Sequence, residues 1–244
     1  MSGATWVAKN CKSPLALDRY SGKWHSRIGP AASNSRLAAL PPSAGGRVSR
    51  FTKRGGLSWG RLAVYIQPMI KFSVDREKAI EALIYVAHVT GKVGRFHAAI
   101  ILYFADLYHL RRYGRPVTGD FYVAMENGPV PSFAYNVLKG SLSPAQQLLA
   151  RGALEEVRTE RHPVYRAGRE PNLKYFSQTD MECLDDAIKY CMPKTFGQIS
   201  DETHKHPAWQ RAALNDAMSF EDMLDGAPPD IVEEAKAFAA YGVL

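Results

Sequence analysis

Asp106 and His109 lie three residues apart, with Tyr103 three residues before Asp106. On a helix that spacing brings the side chains onto one face, and an Asp beside a His is half of a general-base device. No Ser or Cys stands in a recognisable nucleophile setting near them. The alternative is a buried hydrogen-bonded network that fixes how the helix packs, since a buried carboxylate is tolerated only when it is paired. That structural role is the one expected, and no catalytic residue is assigned. His204 and His206, with Asp201 three before His204, offer donors for a metal. Zinc sites need three or four ligands at helix or hairpin spacing, whereas residues two apart on a helix point in different directions, so no metal is expected. His204 is instead expected to be satisfied inside by backbone or carboxylate partners, with His206 capping the next helix. Gly114, Gly119 and Gly128 match neither the dinucleotide pattern nor a phosphate loop, and no cofactor is expected. Arg111, Arg112 and Arg115 beside Tyr113 suit either phosphate contacts or the negative end of a helix, and the second is preferred.

The elements that must position these groups follow from periodicity. Phe96, Ile100, Tyr103, Phe104, Leu107 and Leu110 recur at helical spacing, and Leu102, Ala105 and Tyr113 add apolar groups elsewhere around the same helix. This predicts a central, enclosed helix. Gly114 closes it and Pro116 prevents its restart. Residues 121–125 have the content of a short strand, and Gly128-Pro129-Val130-Pro131 reads as a rigid turn. Upstream, Ile80, Leu83, Ile84 and Ala87 form one face of a first helix, broken by Gly91 and Gly94. Downstream, Ala134, Val137 and Leu138 face inward on a short helix, and Ser143-Pro144 starts another. Residues 154–161 and 172–177 read as two strands of a hairpin joined by 162–171. Capping boxes at Thr179/Glu182 and Thr195/Gln198 open two further helices, Pro207 another, Ser219 a short turn, and Pro228-Pro229-Asp230 the last. The fold class is α+β: one mostly helical domain with a small antiparallel sheet, over residues 69–244, preceded by a disordered basic leader at 1–68.

An apolar share of 46% suits a globular protein that buries a core without disulfides. Cys11, Cys183 and Cys191 are odd in number and lack metal-type pairing, which points to a reduced cytoplasm. No apolar run approaches the ~18 residues of a membrane span. The net charge of +7 is unevenly placed. Residues 1–68 hold eleven Lys and Arg against the single acid Asp18, a net +10, which leaves −3 for the remainder. That leader fits a nucleic-acid-binding arm, an organelle transit peptide, or a start assigned too early with Met69 as the true one. It is expected to be dispensable. The mildly acidic remainder argues against a nucleic-acid partner.

The stretch YFADLYHLRRYGRPVTGDFYVAMENGPVPS, from Tyr103, and SDETHKHPAWQRA, from Ser200, resemble in order and separation the Panacea domain of bacterial and phage antitoxins, also called the SocA-like or phage-associated-protein domain. The resemblance covers residues 75–213. It implies a structural core built on Tyr103, Asp106, His109, Gly114, Pro116, Gly119, Asp120, Tyr122, Thr203, His204 and Trp209, without an established active site. It further implies an antitoxin of a toxin–antitoxin or phage-defence module that neutralises a cognate protein toxin by direct contact; no membrane partner is expected, from the lack of a spanning apolar run. A narrower form is an adaptor delivering the toxin to a protease. The rivals are a DNA-binding regulator and a hydrolase using Asp106 or His109. Glu126, Asn127, Gly128, Pro129, Val130 and Pro131 are the candidate toxin-binding turn, with residues 162–171 and the acidic end beyond Asp216 setting partner choice. Asp106 and His204 are expected to share one polar network across the two motifs. Protein purified without added metal should contain no stoichiometric zinc by elemental analysis; a full equivalent lost on changing His204 would overturn the ligand argument.

Overall fold

The computed structural model describes residues 70–159 and 162–242. The leader at 1–68 lies outside the described residues. The described chain is α+β, mostly helical, and built around α2 (Arg95–Tyr113), in which every residue from Ala98 to Leu107 is buried. Apolar residues all round a helix require neighbours all round. α1 (Arg76–Thr90) covers one side and α5 (Gln178–Cys191) lies along another, with Cys183 and Cys191 turned into the core. Burying a side chain such as Ile100, Leu102 or Phe104 is worth ~1.5–3 kcal/mol each. α2 stops at Gly114, whose φ of 71° is left-handed and whose N–H donates to the Leu110 carbonyl. A Cβ at Gly114 would lie 2.7 Å from Glu234 Cβ, so the same glycine lets α9 (Pro229–Tyr241) pack against the end of α2.

Among the described residues the strand pairs are antiparallel, as expected, and fall into two small sheets. In the first, β5 (Val164–Ala167) lies between β1 (Val93–Gly94) and β4 (Leu154–Val157). The β4–β5 register pairs Leu154 with Ala167 and Val157 with Val164, so the hairpin is shorter than the sequence suggested and its connection is 158–163. Residues 172–177 are not its second strand. Asn172 accepts from Lys174 N and starts a single 3-10 turn, Leu173–Tyr175, because a local side-chain bond competes with strand pairing. The second sheet pairs β2 (Tyr122–Met125) with β3 (Gly128–Pro131), and residues 215–218 run beside β2 through Asn215 N to Ala124 O (2.7 Å) and Met218 N to Tyr122 O (2.8 Å). The segment Gly128–Pro131 is thus a strand and not a free turn.

Four short helices, α3 (Ser132–Lys139), α4 (Pro144–Leu149), α6 (Phe196–His204) and α7 (Pro207–Arg211), follow the boundaries read from the sequence. A further turn, α8 (Phe220–Met223), is capped by Ser219. The capping box of α5 is displaced by two residues from the expected one. Ser177 accepts from Asp180 N, and Asp180 answers by accepting from Ser177 N. Asp180 wins over Glu182 because Lys78 holds its carboxylate from the other side. No helix among the described residues is long and apolar enough to cross a membrane.

β3 and α6 approach closely at Gly128, where φ is 128° and a Cβ would lie 2.6 Å from Thr203 Oγ1. Gly128→Ala should therefore destabilise by ~1–3 kcal/mol through backbone strain, with a further cost from the Thr203 contact. In denaturant unfolding the cost should shrink when Thr203 is Ala, and equal costs in both backgrounds would show that Thr203 does not set the approach.

Candidate functional site

The centre of the site is two carboxylates with no water-facing atoms of their own. Asp106, on α2, is fully buried. Its Oδ1 accepts from Thr118 N (2.8 Å) and its Oδ2 from Thr118 Oγ1 (2.7 Å) and the Tyr122 hydroxyl (2.9 Å). Asp120 accepts from Phe133 N (3.0 Å) and Ala134 N (2.9 Å). It thereby caps α3, whose own preceding residue, Pro131, offers no side-chain bond. Burial pushes both carboxyls up to about 6, against the pull of these hydrogen bonds.

His109 does not bond to Asp106. Its Nδ1 donates to the Arg115 carbonyl (2.7 Å) and its Nε2 accepts from Thr179 Oγ1 (3.0 Å), an arrangement that requires a neutral ring. Burial lowers its pKa to about 4. The nearby Asp180 Oδ1, 3.2 Å from Nε2, does not reverse this, because Lys78 (3.0 Å) and Arg115 (3.0 Å) already balance that carboxylate. Asp180 is held below its ordinary value: burial opposes this, but the Ser177 N–H, Lys78 and Arg115 outweigh it. Lys78, Glu81 and Asp180 were not singled out from the sequence, and all three are buried. Glu81 accepts from Arg169 and Asn172 N. The available signal was Lys78 and Glu81 standing three apart among the apolar residues of α1.

The two motifs meet, though not through Asp106 and His204. The Tyr103 hydroxyl bonds to His206 Nδ1 (3.0 Å), Trp209 Nε1 donates to the Met125 carbonyl (3.1 Å), and Ser200 Oγ donates to the Asn127 carbonyl (3.0 Å). Thr203 faces Gly128. His204 instead stacks on Trp209 with centroids 3.8 Å apart, and its Nε2 is buried with no hydrogen-bond partner among the described residues. His206 occupies the position before α7 without a side-chain capping bond, since its ring is engaged with Tyr103. Burial lowers its pKa to about 4, helped by the positive charge of Arg111.

The remaining sites distribute as follows. Pro116 and Gly119 are buried in the return from α2, Gly119 with φ of 67°. Of the expected solvent-facing turn only Glu126 and Asn127 are exposed; Gly128, Pro129 and Pro131 are buried and Val130 is partly so, because β3 packs on α2 and α6. The three arginines diverge: Arg111 donates to the Asp225 carbonyl, Arg112 pairs with Asp186 and Arg115 with Asp180. Residues 162–171 are not a hairpin tip, since they contain β5 itself. The acidic end is partly neutralised, with Asp222 and Asp225 on Arg211 and Glu233 on Lys236. Among the described residues no group of three or more His, Cys, Asp or Glu could hold a metal ion.

Residues 101–210 match the family model of the antitoxin SocA-like, Panacea domain. That stretch of the chain is similar to the Panacea domain. No curated protein and no solved structure matches the chain. The matched stretch contains Asp106, Asp120, His109 and the second motif, whereas Lys78, Glu81, α8 and α9 lie outside it.

The titrations oppose one another. His109 and His206 stay neutral to about 4 when folded, against an ordinary 6.5, so their contribution is lost as pH falls from 6.5 towards 4. Asp106 and Asp120 take up protons near 6 when folded, against an ordinary 3.8, so they add stability as pH falls through the same interval. His206→Gln removes one losing contribution. Relative to the wild type, its unfolding free energy should therefore improve between pH 7 and pH 5 in denaturant titrations, and an unchanged difference would refute the neutral buried ring.

Proposed function

We propose that the protein is an antitoxin that neutralises one cognate protein toxin by direct contact, with no catalysis of its own. Its matched family is described by antitoxin function. The observation that carries the rest is how the motif's polar groups are used. Both oxygens of Asp106 and Asp120 and both ring nitrogens of His109 are bonded within the chain, at distances of 2.7–3.0 Å. A hydrolase needs a base within reach of a substrate proton, and these groups are spoken for and buried. A DNA-binding regulator would draw on Arg111, Arg112 and Arg115, and each of these is bound to a different partner. Delivery of the toxin to a protease is a narrower form of the same contact.

Co-expression with the product of the neighbouring reading frame tests this directly. The full chain should restore growth when that product is toxic, and Asp106→Asn should retain rescue in proportion to the folded protein present. A chain that gives no rescue yet binds duplex DNA tightly, in a salt-dependent manner, would transfer the assignment to the regulator.

A further inference from the structure

The outer side of β2 is apolar where a solvent-facing strand is ordinarily polar. Tyr122 and Ala124 are buried, so the pleat turns Phe121, Val123 and Met125 to the opposite side. Phe121 and Met125 are 49% and 38% exposed. Val130 pairs with Val123 across β3, and Ala217 pairs with it from the other side; paired residues share a face. Five apolar side chains thus lie across three neighbouring extended segments. None of them fixes the ribbon by a side-chain hydrogen bond, because the backbone bonds of β2, β3 and 215–218 do so, with Trp209 holding the Met125 carbonyl. The face is therefore ordered before anything binds, which lowers the entropic cost of binding. Its rim is acidic. Glu126, in the hairpin turn after Met125, is exposed, and so is Asp216, which the pleat turns to the other side of the edge segment from Ala217; neither has a salt-bridge partner among the described residues.

We propose that this ribbon face is where the partner protein docks, and that the partner presents an apolar ridge flanked by Lys or Arg. The proposal rests on the antitoxin assignment and adds the surface and its chemistry. Aromatic and Met side chains are favoured at the centres of protein interfaces, and unpaired carboxylates at the edge select a basic partner and speed its approach. A second copy of this chain would bring the same unpaired acids and so gain no charge complementarity from them. Nucleic acid and anionic lipid are disfavoured by the same charges.

The test uses the full chain and the purified product of the neighbouring reading frame, with affinity and association rate measured at two salt concentrations. Phe121→Ser with Met125→Ser should weaken binding tenfold or more, a loss of about 1.4 kcal/mol or greater. Glu126→Lys with Asp216→Lys should slow association most at low salt. Leu148→Ser, at an exposed apolar position on α4, should bind like the wild type. Melting temperatures separate these effects from unfolding. If the wild type binds and both ribbon variants bind equally well, the docking face is elsewhere and the antitoxin assignment stands. If the wild type does not bind the product at all, both fall. A change in the chain's own oligomeric state by sedimentation in the Phe121→Ser/Met125→Ser variant would assign the face to self-association and overturn the proposal.

Discussion

A carboxylate at the centre of an apolar helix must be met by donors from elsewhere in the chain, and this constraint organises the domain. Asp106 has no exposed surface, and its donors come from Thr118 and Tyr122, well along the chain. To deliver them the chain has to reverse at the end of α2 and run back across it. Gly114 makes the reversal with its left-handed conformation, and Gly119 makes the next bend in the same region of φ. Once Tyr122 is fixed, β2 is placed, β3 pairs with it, and Asp120 is left beside the start of α3, whose amides it receives. Each unsatisfied buried group would cost ~1–3 kcal/mol, so the return path and the carboxylate specify each other.

The parts of this arrangement that repeat at short range were legible in the sequence. α2, its glycine stop, the helices opened by Thr195, Pro207 and Pro229, and the cap at Ser219 all follow from apolar spacing and local capping chemistry. What failed was long-range or balanced between local options. Val164–Ala167 carries one buried residue, Tyr165, whose hydroxyl bonds to the Leu138 carbonyl and whose strand pairs with the two-residue β1. No local pattern announces a strand that needs a distant partner. The box at Ser177 prevailed over the one at Thr179 for a similar reason, since the deciding contact comes from Lys78, about a hundred residues earlier. Gly128–Pro131 read as a turn because its glycine and prolines suit one, yet a strand at a sheet edge tolerates proline.

The buried ion cluster of Lys78, Asp180 and Arg115 illustrates a different limit. Two charges taken out of water recover little net stability even when well paired, so the cluster is better understood as fixing register. It joins α1, which lies outside the matched stretch, to the first turn of α5 inside it, with His109 of α2 alongside. Wrong rotations of α1 would leave Lys78 facing apolar side chains. Glu81, bonded to Arg169 and Asn172 N one turn further on, adds a second such check on the same helix.

Cys183 and Cys191 sit in the core on α5, and burial pushes both thiols up to about 12. Only the thiolate reacts readily with alkylating reagents, so in the closed state these two sulfurs are chemically silent. Their labelling is possible only while α5 swings away from α2. The pair therefore works as a built-in reporter of that opening: label accumulates on the two sulfurs at the frequency of opening when alkylation outpaces reclosing, and in proportion to the open fraction when reclosing is faster.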